Sequence, residues 1–187
     1  IFMLIILIGI GNGFKGGINK IVDGFASNSC FFWSEQTSEP YKGFRKGRSW
    51  NMNNRDIVLI RQRAHSVEHI SPVLFGNQSD KNVVRGQKSG SFSVKGVYPA
   101  YFLTEKQNIH QGRVINELDV HDTRKVCVVG KEVAETLFAK DENAIGQYIR
   151  VNGIYFQVIG IISPLSQIQI GGEIQTTVII PFNTMQK

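Results

Sequence analysis

The first eleven residues, Ile1 to Gly11 (IFMLIILIGIG), carry no polar side chain, and Asn12 is the first to do so. No other stretch limits the chain as strongly. A helix that crosses a bilayer needs about 20 such residues, so this run alone falls short of a span. It also lacks the basic flank and the small-residue cleavage site of a signal peptide. Three readings stay open: a buried core strand, the trailing half of a transmembrane helix, or the apolar part of a cleaved segment. A start at Ile rather than Met favours the second.

The run continues into GNGFKGGINKIVDGF, where Gly11, Gly13 and Gly16 fit G-x-G-x-x-G. A dinucleotide site needs that motif after a strand and before a helix, with an acidic residue about 20 positions on. Cys30-Phe31-Phe32-Trp33 runs toward Glu35, which suits the spacing, but alternating strand and helix units do not recur downstream. A dinucleotide-binding oxidoreductase domain is therefore a minor alternative. Gly9, Gly13 and Gly17 are spaced four apart, the small-residue stripe that lets membrane helices approach closely.

Beyond the run the composition is that of a folded chain. Twelve Phe, 5 Tyr and 2 Trp exclude a disordered segment, which would be poor in aromatics. Lys plus Arg is 21 against 15 Asp plus Glu, a net charge of +6 that permits anionic partners without requiring them. Only Cys30 and Cys127 are present, which excludes a disulfide scaffold, a multi-cysteine zinc site and an iron–sulfur cluster. Both sit in apolar surroundings and read as buried free thiols.

The periodicities predict an α+β chain. Ser29 to Ser38 reads as a strand. Asn53, with Asp56 three positions on, reads as a capping box opening a helix, and Ile57, Ile60 and Ala64 recur at helical spacing. An extended piece follows Pro72 and ends near Gly76, completing a β-α-β unit. Asn77 to Ser91 is polar and reads as a boundary. Strands follow at Phe92 to Tyr98 and at Lys125 to Gly130, the latter leading straight into a helix from Lys131 to Phe138. Tyr148–Val151 and Ile154–Ile162 flank Asn152-Gly153, the strongest short-range hairpin signal in the chain. Thr176 to Ile180 forms the last strand.

Few residues suggest chemistry. His65 and His69 are four apart, but Pro72 stops the helix that would align them, and no third ligand is marked by spacing. No nucleophile elbow, Walker A lysine or zinc-protease helix occurs. Glu117, Asp119 and Asp122 cluster beside Arg113 and Arg124, an arrangement that more often makes ion pairs than a paired-acid site. Between Lys42 and Arg63 lie seven cations and one acid, interleaved with Phe44 and Trp50. That composition suits a nucleic-acid or anionic-polymer surface as a second alternative, and a solvated basic face as the commoner reading.

The second half carries a family resemblance. Gln111-Gly112-Arg113-Val114-Ile115-Asn116-Glu117 resembles the GR-x-(F/I)-x-x-x-E signature of MacB-type ABC transporter permeases. KVCVVGKEVAETLF, Ile145 to Ile149 and the hairpin ending at Gly160 follow in that family's order. Gly96 to Phe102 resembles its GV-x-P-x-(Y/F)F, Val178 to Phe182 its late strand, and the N-terminal run the exit of its first membrane helix.

The resemblance, which extends to the FtsX and lipoprotein-releasing permeases, implies a periplasmic core domain between the first two of four membrane helices. It implies the end of a transmembrane helix and stalk over 1–25 and a porter-like β-α-β subdomain over 26–80. A mainly-β, Sabre-like insertion would cover 81–162, and a return strand 163–187. Gly112, Gly130, Gly146, Gly153 and Gly160 are expected where the backbone turns or packs closely, with Arg113 paired to Glu117. Gly9, Gly13 and Gly17 would lie in the stalk that couples membrane helices to the outer domain.

No catalytic, metal or cofactor residue carries over, and no cofactor is expected. ATP hydrolysis in the family belongs to a separate nucleotide-binding domain. The implied setting is the periplasmic side of a bacterial inner membrane. The implied partners are a second permease copy in a homodimer or heterodimer, an ABC ATPase, a periplasmic adaptor and an outer-membrane channel. The implied cargo is a drug, peptide or lipoprotein.

Overall fold

A computed structural model describes residues 2–22, 28–77, 79–139, 142–165, 169 and 171–187. It divides into two compact units, Asn28–Ile70 on the one hand and Ile1–Ser27 with Ser71–Lys187 on the other. The apolar run forms the first part of helix α1 (Phe2–Val22). Among the described residues, no helix is long and apolar enough to cross a membrane. Gly11, Gly13 and Gly16 all lie inside α1, so no strand precedes them. That removes the strand–turn–helix context a dinucleotide site requires, and with it the oxidoreductase alternative.

The Asn28–Ile70 unit departs most from expectation. Its regular element is α2 (Asn54–Arg63), which opens with the expected capping box. The Asn53 side chain accepts from Arg55 N–H at 2.9 Å, and Asn53 N–H donates to Asp56 at 2.7 Å. No residue of α2 is buried, since Ile57-Val58-Leu59-Ile60 wraps round the helix rather than forming one stripe. The strand expected over Ser29–Ser38 is not formed; isolated bridges join Gln36 to Ser49 and Tyr41 to Phe44. Its aromatic cluster does not alternate, and Phe32 and Trp33 stand in solvent, leaving nothing to hold one face down. Cys30 is correspondingly exposed rather than buried. The expected β-α-β unit is thus absent: the piece after Pro72, β1 (Val73–Phe75), pairs instead with a strand of the larger unit.

That larger unit is built on one mixed sheet. After β1 come β2 (Val83–Arg85), β3 (Lys88–Gly90), β4 (Ser93–Val97), α3 (Tyr101–Thr104) and β5 (Gln107–Gly112). Then follow α4 (Glu117–His121), β6 (Val126–Gly130), α5 (Lys131–Leu137), β7 (Tyr148–Val151), β8 (Ile154–Pro164), β9 (Thr177–Pro181) and α6 (Phe182–Gln186). The strand order is β1-β4-β9-β6-β8-β7-β2-β3, with β5 also on β8. Pairs β4·β9 and β6·β8 are parallel and the rest antiparallel. Strands expected in the first subdomain, the insertion and the return segment therefore share one sheet.

The centre of the sheet explains its sequence. All five residues of β6 (VCVVG) and of β9 (TVIIP) are buried, which is why they read as unbroken apolar runs rather than alternating ones. Alternate residues serve two cores. Cys127, Val129, Val178 and Ile180 pack with Val133, Ala134 and Leu137 of α5. Val128 and Ile179 pack with Tyr101, Ile115, Val120 and Ile174. The β7–β8 hairpin closes as expected, with Asn152 and Gly153 at φ +47° and +88°. Both values belong to the type I′ turn that suits a twisted hairpin.

The Arg113–Asp119 signature cluster

The family-like run Gln111–Glu117 passes from the end of β5 into the cap of α4. Gly112 sits at φ +75°, and a Cβ there would lie 2.1 Å from the Ile159 carbonyl oxygen. This close approach lets the Arg113 N–H donate to Ile159 O at 2.9 Å. The facing strand gives way in the same manner: a Cβ on Gly160 would lie 2.2 Å from Arg113 O. Two glycines on opposite strands thus bring β5 and β8 together where the chain turns toward α4. Ile115 then enters the core, 1% exposed.

Asn116 caps α4 with a second box. Its side chain accepts from Asp119 N–H at 2.9 Å, and its own N–H donates to Asp119 at 3.1 Å. The Asp119 carboxylate has no exposed surface, and the Arg113 guanidinium grips it at 2.5 and 3.1 Å. Arg124 adds a contact at 3.5 Å, while its other nitrogen donates to Asp122 at 2.8 Å. Burial by itself would raise the Asp119 pKa. The Arg113 hydrogen bonds, the Asn116 N–H and the two guanidinium charges outweigh it and hold the carboxyl below its ordinary range.

The expected Arg113–Glu117 pair is therefore replaced by Arg113–Asp119. Glu117 is the first residue of α4 and points into solvent, whereas Asp119 is turned inward by its role in the cap. Sequence spacing did hold a signal for Asp119, because Asn-x-x-Asp is the same pattern already visible at Asn53–Asp56.

The other signature glycines divide by cause. A Cβ on Gly130 would lie 2.2 Å from both Ile174 O and Gln175 O, so α5 starts hard against the segment entering β9. Gly146 and Gly153 have open space but sit at φ +86° and +88°. Gly9, Gly13 and Gly17 are exposed on α1, with nothing within 4 Å of an added Cβ. His65 and His69 lie beyond the end of α2, and among the described residues no cluster of His, Cys, Asp or Glu has the makings of a metal site. The seven cations of Lys42–Arg63 are all exposed. What the cluster does chemically is to lock a turn, with Asp119 and Asp122 both held by arginines.

The model of the MacB-like periplasmic core domain matches residues 1–187, the whole chain. The chain belongs to the MacB-like periplasmic core domain family. It is 23% identical over 184 residues to the macrolide export ATP-binding/permease protein MacB of Syntrophobacter fumaroxidans, covering 98% of this chain and 25% of that protein. It is 27% identical over 184 residues to the pyoverdine export ATP-binding/permease protein PvdT of Pseudomonas putida, covering 96% and 26%. The chain thus spans about a quarter of the length of these relatives. Among solved structures, the periplasmic region of MacB from Actinobacillus actinomycetemcomitans shares the fold with a TM-score of 0.63 and 23% identity, over 88% of this chain and 69% of that one. The extracellular domain of the transporter YknZ from Gram-positive bacteria matches with a TM-score of 0.57 and 18% identity, over 72% and 65%. The α+β mixed-sheet fold is that of these periplasmic and extracellular domains.

Proposed function

We propose that this domain is the periplasmic relay of an ABC exporter permease, carrying ATP-driven motion of membrane helices to the release of cargo on the outer side. The observation that carries the reading is the family match from residue 1 to residue 187, which takes in α1 as well as the mixed sheet. In this reading α1 continues a membrane helix of a bacterial inner membrane, residues 1–25 are the stalk, and the sheet is the rigid body that moves.

ATP hydrolysis is assigned to a nucleotide-binding domain outside this chain, since relatives are described as ATP-binding/permease proteins and the chain spans a quarter of them. A second permease copy would supply the opposing half, with an adaptor and an outer-membrane channel beyond. The relatives named for macrolide and pyoverdine export point to cargo of that size, a drug or a peptide-like molecule, with a lipoprotein as the family's other option.

The stalk is where the reading can be broken. Gly9, Gly13 and Gly17 leave one line of α1 bare of side chains, the surface another helix needs for close approach. In the intact transporter, Gly13→Leu with Gly17→Leu is expected to reduce transport of the exported compound in a cell-based efflux assay while ATPase activity persists. Full transport at normal expression would show the stalk to be a passive tether.

A further inference from the structure

We propose that the groove beside the β7–β8 hairpin binds an extended, acidic polypeptide segment of a partner protein. The groove is a shallow, solvent-open depression of about 680 Å³ lined by Arg124, Lys125, Val126, Tyr148, Tyr155 and Gln157, with the hairpin tip at its end. Of the signature glycines, Gly153 in the turn lines it, and the Gln157 side chain donates to Gly146 O at 3.1 Å.

Three observations converge on that occupant. The first is a sheet edge left open. Along β8, backbone groups alternate sides: Val158 N–H donates to Gln147 O on the β7 side, and Gln157 N–H donates to Lys125 O on the β6 side. Tyr155, two residues earlier, turns its N–H and C=O the same way as Gln157. Strand β6 begins only at Val126, opposite Gln157, so the described residues give the Tyr155 backbone no partner there. An incoming strand can extend the sheet at this point, whereas a sugar or a lipid headgroup gains nothing special from it.

The second is apolar and aromatic surface. Tyr148 is 58% exposed and Tyr155 63%, and both lie on the outward face of the hairpin with Arg150 and Gln157. Rings of this kind, apolar in body and polar at the tip, are what protein interfaces favour.

The third is charge. Lys125 in the groove lining and Arg150, opposite Tyr155 on the same hairpin face, are exposed and have no ion-pair partner among the described residues, while the two carboxylates that Arg124 meets, Asp119 and Asp122, are already held in ion pairs. The groove therefore presents uncompensated positive charge, which selects an acidic partner and speeds its arrival.

The test uses the intact chain and a labelled peptide alternating glutamate and valine, followed by fluorescence anisotropy. The acidic peptide is expected to bind, and its lysine–valine counterpart to fail. Lys125→Glu with Arg150→Glu should weaken binding about tenfold, the worth of two exposed ion pairs. Methylating alternate backbone nitrogens of the peptide should also weaken it about tenfold, because the strand can no longer donate to the open edge. Equal affinity for the methylated peptide would overturn strand addition. Unchanged affinity in the double variant would overturn the charge argument, and failure of the acidic peptide to bind would overturn the proposal as a whole. Self-association that the double variant abolishes, without peptide binding, would assign the groove to a second copy and overturn it too. None of these readouts depends on transport.

Discussion

Asn-x-x-Asp opens a helix twice in this chain, and the two copies have different fates. At Asn53–Asp56 both reciprocal bonds form, yet α2 buries none of its residues and its cap stands in water. At Asn116–Asp119 the same bonds form, but the second carboxylate is buried and doubly held by arginines. A local motif fixes where a helix starts in either case. What the motif contributes to stability depends on what surrounds it: in water the bonds replace equivalent bonds to solvent, while in the interior a lost partner leaves a polar group stranded.

The largest effect should come from removing one charge. Asp119→Asn leaves the Arg113 guanidinium without a counter-charge, while Arg124 keeps Asp122, and the unit containing Ser71–Lys187 should lose about 3 kcal/mol, less than for a fully buried pair because Arg113 is half in water. Asp56→Asn should leave the same denaturant midpoint where it was. The sign with pH follows from the depressed pKa of Asp119. Its contribution is complete above the unfolded-state value of about 3.9 and is lost as the pH falls through the lower folded value. The gap between wild type and Asp119→Asn should therefore stay constant from neutrality down to about pH 5 and close below about pH 4. A gap that widens in acid would show that the carboxylate is not held ionised.

A smaller difference should separate two glycines. Gly160→Ala forces a methyl group against the Arg113 carbonyl and should cost about 2 kcal/mol in thermal or denaturant unfolding. Gly43→Ala meets only the strain of its φ of +83°, about 1 kcal/mol, and that within the Asn28–Ile70 unit. If both variants melt alike, close approach at the signature is not what Gly160 supplies.

The smallest effect concerns the caps themselves. Asn116→Ala should lower the main unfolding transition by about 1 kcal/mol. Asn53→Ala should fray α2, visible as faster amide exchange over Asn54–Arg63, without moving that transition. Equal shifts in the main transition would mean that the two units share one cooperative core.

Local chemistry was enough for much of this protein. The capping box at Asn53, the Asn152-Gly153 turn, the buried runs at Val126–Gly130 and Thr177–Pro181 and the helix after Gly130 all follow from neighbours within a few residues. Each is decided by a φ preference, a cap or an unbroken apolar run. The order of signature pieces from Gly96 to Phe182 likewise points to the family that the whole chain matches.

What only the tertiary structure decided are the partners. The strand after Pro72 joined β4 rather than completing a β-α-β unit, because strand pairing depends on an edge supplied from elsewhere in the chain. The cluster Phe31–Trp33 formed no strand, because aromatics favour a pleated surface only where something covers one face. Arg113 chose Asp119 over Glu117, because a helix cap turned one carboxylate inward and left the other in solvent. Sequence spacing lists which charges are near one another; burial selects the pair that matters, and burial is a property of the whole fold.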